Sequence, residues 1–138
     1  MRKTTLTCGL LLATLWLQGC VVINTDKSTV EPKSVAAESE DMTIKEIDAV
    51  SKLSSQNARQ EYYTSLAGRT DLSPRAQVHL VNAVFKHLST DNAKLAVLDT
   101  LIANPSFSSA AKSTILERLG RLSADSHRTE ILERLSKR

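Results

Sequence analysis

From Thr43 to the C-terminus, apolar residues recur at the spacing of amphipathic helices, and the residues between them are those that start and stop helices. Thr43-Ile44-Lys45-Glu46 has the form of a capping box, with Met42 and Ile47 placed as a hydrophobic staple. Ile44, Ile47, Val50 and Leu53 then share one helix face. The polar break Ser54-Ser55-Gln56-Asn57 precedes a second segment with Arg59, Tyr62, Tyr63 and Leu66, which Gly68 ends as a C-cap. Ser73-Pro74 opens a third helix, Ser as N-cap and Pro in the first turn. Its inward residues are Val81, Val84 and Leu88, with Leu80 and Phe85 beside them. A fourth runs from near Asp91 to Ala103 and is stopped by Asn104-Pro105. Ser108 caps a fifth carrying Ala111, Ile115, Leu116, Leu119 and Leu122, weakened near its end by Gly120. A sixth, starting after Ser123 or Ser126, carries Ile131, Leu132 and Leu135. The expected fold is all-α, with five or six short amphipathic helices joined as αα-hairpins.

These helices share a pattern of two small or apolar residues, two mostly polar ones, then Leu. It occurs at Ala49–Leu53, Tyr62–Leu66, Val84–Leu88, Val97–Leu101, Ile115–Leu119 and Ile131–Leu135, and the last two read Ile-Leu-Glu-Arg-Leu identically. Taken in pairs, the patterns start at Ala49, Val84 and Ile115, a spacing near the period of stacked helical hairpins. Any amphipathic helix shows the same internal pattern, and the marker residues of the tetratricopeptide repeat are missing. The expectation is therefore an irregular bundle, with a short solenoid-like stack as the alternative.

The N-terminus has a different character. Arg2 and Lys3 precede Leu6–Leu17, an uncharged stretch centred on Leu10-Leu11-Leu12 and ending in Leu15-Trp16-Leu17. Its length suits the apolar core of a secretory signal and is short for a membrane span. Gln18 and Gly19 interrupt any anchor helix running from Thr4 to Ile23. The run Leu17-Gln18-Gly19-Cys20 resembles a bacterial lipoprotein signal with its lipobox, Gln18 standing where a small residue is usual. The resemblance covers residues 1–20. It implies that residues 1–19 are cleaved as a signal peptide and that Cys20 carries a diacylglycerol thioether and an acylated amine, palmitate being a typical chain. Several chains on one residue anchor firmly, since each buried CH₂ contributes about 0.8 kcal/mol. Val21, where an Asp would favour inner-membrane retention, points to the outer membrane, facing the periplasm. No cofactor is implied beyond the covalent lipid on Cys20.

Without residues 1–19 the chain has 16 basic and 15 acidic residues, so its overall basicity owes something to the signal. Cys8 leaves too, and the sulfur of Cys20 is taken by lipid, so stability rests on packing rather than a disulfide. Residues 20–42 read as the lipidated Cys and a flexible acidic linker: Asp26, Glu31, Glu38, Glu40 and Asp41 against Lys27 and Lys33. Such a coil reaches about 25 Å. Residues 43–138 form a single helical domain whose aromatics are Tyr62, Tyr63, Phe85 and Phe107, so its core must be mainly Leu, Ile, Val and Ala. Tyr62 and Tyr63 are expected to pack in that core, and Phe107 to cover it.

Candidate chemistry is sparse. His79 and His87 diverge by about 80° on an ideal helix, too far for a shared metal, and His79 should face solvent. Ser73, Ser89, Ser108 and Ser123 sit where caps are needed, and no nucleophile elbow surrounds them. Glu117 and Glu133 belong to Glu-Arg steps on polar helix faces, and Gly68 and Gly120 build no phosphate loop. Catalytic and metal sites are therefore expected to be absent, and the protein is not expected to be an enzyme. The C-terminal stretch is the most basic: Lys112, Arg118, Arg121, Arg128, Arg134, Lys137 and Arg138 against Glu117, Asp125, Glu130 and Glu133. It reads either as a solvated surface compensating helix C-termini or as an interaction face for anionic lipid, a glycan or an acidic protein. An extracytoplasmic address argues against nucleic acid.

The function expected from this layout is that of a membrane-anchored periplasmic lipoprotein, a non-enzymatic adaptor or assembly factor that binds a protein of the cell envelope. Pilotins share the layout, but no motif over residues 43–138 matches theirs, so no residue carries over. An inhibitor or immunity-type binding protein is the alternative, although 14 basic against 10 acidic residues from Thr43 onward is a mild bias. A small envelope hydrolase or ligand carrier would need an enclosed cavity with converging polar groups.

Overall fold

Three serines set the phase of the helices. Ser55, Ser73 and Ser108 each take an extended backbone and accept the N–H of the residue three positions on, at 3.4 Å from Ala58, 3.1 Å from Ala76 and 3.2 Å from Ala111. They start α2 (Gln56–Ala67), α3 (Pro74–His87) and α5 (Ser109–Arg118) in the computed structural model, which describes residues 32–138, with side chains from residue 37 onward. α1 spans Pro32–Ser51, α4 Asp91–Ala103 and α6 Asp125–Ser136. A 3₁₀ turn, Leu119–Arg121, carries Gly120 between α5 and α6. The described residues are all-α, with no strand among them. Leu17, Gln18, Gly19, Cys20 and the linker before residue 32 lie outside the described residues.

Two expectations about boundaries are corrected. The helical domain does not begin at Thr43, because α1 starts at Pro32 and takes in the last part of the expected linker. Pro is well placed in a first turn, and Ala36, Ala37, Glu38 and Glu40 are helix formers. Thr43 is mid-helix, and its hydroxyl donates to Ser39 O at 3.1 Å instead of capping. Ser89 and Ser123 are not N-caps either. Those positions fall to Thr90 and Ala124, which make no side-chain cap bond.

The helices form two layers. α1, α3 and α5 line up in one, each packed on the next, and α2, α4 and α6 line up in the other. α1 also packs on α2, and α3 on α4. This is the solenoid-like alternative: helical hairpins stacked along one direction. Its register is visible in equivalent positions. Leu53, Leu88 and Leu122 end the odd-layer segments, and Ser55, Thr90 and Ala124 precede the even-layer helices, so both sets advance by one near-constant step. The core lies between the layers. Ile47, Tyr63, Leu80, Val81, Val84, Val97, Leu98, Ile115, Leu122 and Ile131 are fully buried there. Burying one such aliphatic side chain contributes about 2 kcal/mol.

Candidate interaction faces

The seven basic residues expected to form one face are divided by the fold. The N-terminal end of α5 meets the C-terminal end of α6. Lys112 Nζ accordingly donates to Leu135 O at 2.8 Å. With Arg134, Lys137 and Arg138 it forms a cluster at that end. Arg118, Arg121 and Arg128 belong to the opposite end, around the 3₁₀ turn. One continuous basic surface is therefore replaced by two smaller ones.

Several of these cations are committed to structure. Arg128 reaches back to Leu122 O from Nε at 3.0 Å and Nη2 at 2.5 Å, and it pairs with Asp125 at 2.6 Å. The role is helix termination: Arg59 does the same at an earlier turn, donating to Leu53 O at 2.5 Å. Arg134 donates to Glu130 at 2.7 Å and stands 2.9 Å from Asp99 Oδ1, a charge contact rather than an aligned hydrogen bond. The hydrogen bond to Glu130, then the nearby Asp99, raise the affinity of the Arg134 guanidinium for its proton. Burial pushes the Asp99 carboxyl up, and Arg134 only partly offsets that. Arg138 donates to Ala103 O. Two open hollows meet at Arg138. One, about 240 Å³, is floored by Ile102 and Ala103 beside Asp99, Arg134 and Lys137. The other, about 360 Å³, lies between Phe107, Ser108, Ser109 and Lys112.

The remaining candidates disperse. His79 is not fully solvent-facing: Nε2 sits 2.8 Å from Asp48 Oδ1, and 36 % of its side chain is exposed. Asp48 draws it toward α1, which sequence spacing within α3 cannot register. Burial, then Lys86 and Arg59, lower the proton affinity of His87. His127 Nδ1 lies 3.7 Å from Asp91 Oδ2. Among the described residues, no group of three or more His, Cys, Asp or Glu side chains converges as a metal site would. Tyr63 is fully buried, and burial pushes its hydroxyl up to about 12. Tyr62 is corrected: it is 57 % exposed, at the rim of an open groove beside Ala49, Val50 and Leu53. Phe107 is partly buried against the core.

No family model matches this chain, nor does any of the curated proteins or solved structures compared with it.

The residues that sequence reasoning missed are the polar clamps between successive hairpins. Gln56 Oε1 accepts the Ser89 N–H at 3.0 Å and also bonds the Ser89 hydroxyl, while Gln56 Nε2 donates to Thr90 Oγ1 at 3.2 Å. One repeat on, Asp91 Oδ2 accepts the N–H groups of Ser123 at 2.6 Å and Ala124 at 3.3 Å, and Oδ1 takes Lys94 at 3.1 Å. Burial pushes the Asp91 carboxyl up, but the Ser123 N–H, Lys94 and the Ala124 N–H outweigh it and hold it at about 2. At the other end of the helices, Asn104 Nδ2 donates to Ala67 O at 2.8 Å and Arg69 O at 2.7 Å. Buried Gln77 bridges Leu72 O, Ser106 O and the Ser108 N–H at 3.0, 2.8 and 2.9 Å. A signal was available: Leu-Ser-x-Gln from Leu53, then Leu-Ser-x-Asp from Leu88 and again from Leu122, recur where the clamps lie. The apolar pattern conceals it because it falls in the turns.

Proposed function

We propose that this protein is an outer-membrane lipoprotein facing the periplasm, anchored through lipid on Cys20, whose helical stack serves as a non-enzymatic adaptor or assembly factor for a protein of the cell envelope. The observation that carries the reading is Leu17-Gln18-Gly19-Cys20 placed directly after a charged and then apolar start. Among the described residues, no helix is long and apolar enough to cross a membrane. The adaptor part is supported by the character of the described surface. Its hollows are open rather than enclosed, its clustered cations are mostly bonded to backbone or carboxylates, and stacked helical hairpins offer extended faces for protein partners.

Two measurements test the two parts separately. Metabolic labelling with an alkyne fatty acid should mark the wild-type chain, and Cys20→Ser should lose the label and remain unprocessed. Continued acylation of Cys20→Ser would refute the anchor. Crosslinking in intact envelopes should then recover one dominant envelope protein with the anchored chain and much less with Cys20→Ser. Recovery of glycan or lipid alone would refute the adaptor reading.

A further inference from the structure

The repeat assigns a direction to each core position of the stack. In the even layer, Tyr62, Val97 and Ile131 are equivalent, as are their neighbours Tyr63, Leu98 and Leu132, each set advancing by the step that separates the Leu-Ser turns. Val97 and Ile131 are fully buried, whereas Tyr62 in the first hairpin is 57 % exposed. This position therefore faces the preceding hairpin. Tyr63 and Leu98 are fully buried, whereas Leu132 in the last is 45 % exposed, so the neighbouring position faces the following hairpin. In the odd layer the same step aligns Ile47, Asn82 and Leu116: Ile47 is fully buried and Asn82 partly buried, whereas Leu116 in the last hairpin is 45 % exposed. Leu116 and Leu132 thus form the apolar edge on which a fourth hairpin would stack. At the opposite edge, Ala49, Val50, Leu53 and Tyr62 line an open apolar groove of about 190 Å³.

The polar clamp ends in the same way. Gln56 and Asp91 each hold the Ser N–H of the next Leu-Ser turn, Ser89 and Ser123. The equivalent residue in the last hairpin is Asp125, whose side chain is 92 % exposed and pairs with Arg128 of its own helix. What it would receive is a further Leu-Ser turn. Leu53-Ser54, beside the open groove, is such a turn, and Ser54 is exposed. Each feature at the trailing edge therefore has its counterpart at the leading edge of this same chain.

We infer that the trailing edge, Leu116, Leu132 and Asp125, docks head-to-tail on the leading edge, Ala49 to Tyr62, of a second copy. Leu132 enters beside Tyr62, and Asp125 accepts from the Leu53-Ser54 turn, continuing the interface already made twice within one chain. The contact is heterologous, so it builds rows rather than closing at two subunits. It does not depend on the anchor at Cys20.

The test places a benzoylphenylalanine photo-crosslinker at position 132, and separately at 62, in the full chain produced in cells alongside a differently tagged copy. From position 132 the expected adduct joins two copies and maps to residues 49–62 of the second; from position 62 it maps to the segment around Leu132. Leu132→Asp should lower the position-62 adduct about tenfold, the effect of losing one central contact. Because Leu132 is half-exposed, that variant should keep its helical circular dichroism and melting temperature, which excludes unfolding as the cause. An adduct joining Leu132 to the Leu116–Leu132 edge of the second copy, an adduct to a different protein, or none from a folded chain would each overturn the inference.

Discussion

Asn104→Ala tests whether polar clamps or apolar contact hold the hairpins in register. The side chain is 4 % exposed and makes three bonds: Nδ2 to Ala67 O at 2.8 Å, Nδ2 to Arg69 O at 2.7 Å, and Oδ1 from the Ser106 N–H at 2.9 Å. All three tie the α4–α5 connection to itself or to the α2–α3 connection. Each is worth about 1 kcal/mol net, and alanine leaves the buried Ala67 carbonyl without that donor. The expected loss is about 3 kcal/mol, a large fraction of the roughly 5–15 kcal/mol of a small domain. That corresponds to a fall in melting temperature of about 15 °C for a domain near this size. Urea unfolding followed by far-UV circular dichroism should show a lower midpoint with an unchanged slope. Asn104→Asp sharpens the test. It keeps an acceptor for Ser106 but sets a carboxylate against two carbonyl oxygens, which raises its folded pKa. It should therefore be at least as damaging as alanine at neutral pH and recover part of the loss as the pH falls and the carboxyl regains a donor. A loss below about 1 kcal/mol for Asn104→Ala, or an Asp variant more stable than alanine at neutral pH, would refute the clamp.

Two further predictions follow from the same geometry. Leu98→Ala should cost about 2–5 kcal/mol in urea unfolding, whereas Leu132→Ala at the equivalent position should cost about 0.5 kcal/mol or less in dilute monomer, since only Leu98 is enclosed on both sides. Equal costs would contradict the directional assignment of the repeat. Asp91, held at about 2 against an ordinary 3.8, adds stability that is complete above 3.8 and is lost as the pH falls through about 2. Asp91→Asn should remove this part of the acid dependence of the unfolding midpoint, and a slope like that of the wild type over the same range would refute it.

How far the fold was legible depends on the range of the interaction concerned. Helix starts at Ser73 and Ser108 and the stop at Asn104-Pro105 were readable, because a cap bond is local and a proline acts on its neighbour. The start of α1 was not readable, because Pro32 to Met42 has few apolar residues and its helicity continues that of Thr43–Ser51. Part of what holds it is tertiary: Arg75 of α3 lies 3.2 Å from Glu40 and 3.5 Å from Asp41. Tyr62 and Tyr63 show the same divide. Both satisfy a helical apolar pattern, yet only the number of helices beside α2 decides which is covered. The seven C-terminal cations were legible as charge and not as a face, because their grouping depends on how α5 and α6 run relative to each other.

By itself, the sequence determined what depends on near neighbours. Periodic Leu, Ile, Val and Ala with serine caps specify short helices, and few aromatics favour helix-on-helix packing. The tertiary structure alone decided which helix lies beside which, and with that the two layers, the clamps of Gln56, Asp91 and Asn104, and the direction each apolar pair faces. The physical reason is that burial and hydrogen-bond satisfaction are properties of a position's surroundings. Val97-Leu98 and Ile131-Leu132 carry nearly the same chemistry; among the described residues α6 packs beyond α4 and no helix packs beyond α6, which makes Leu98 core and leaves Leu132 exposed.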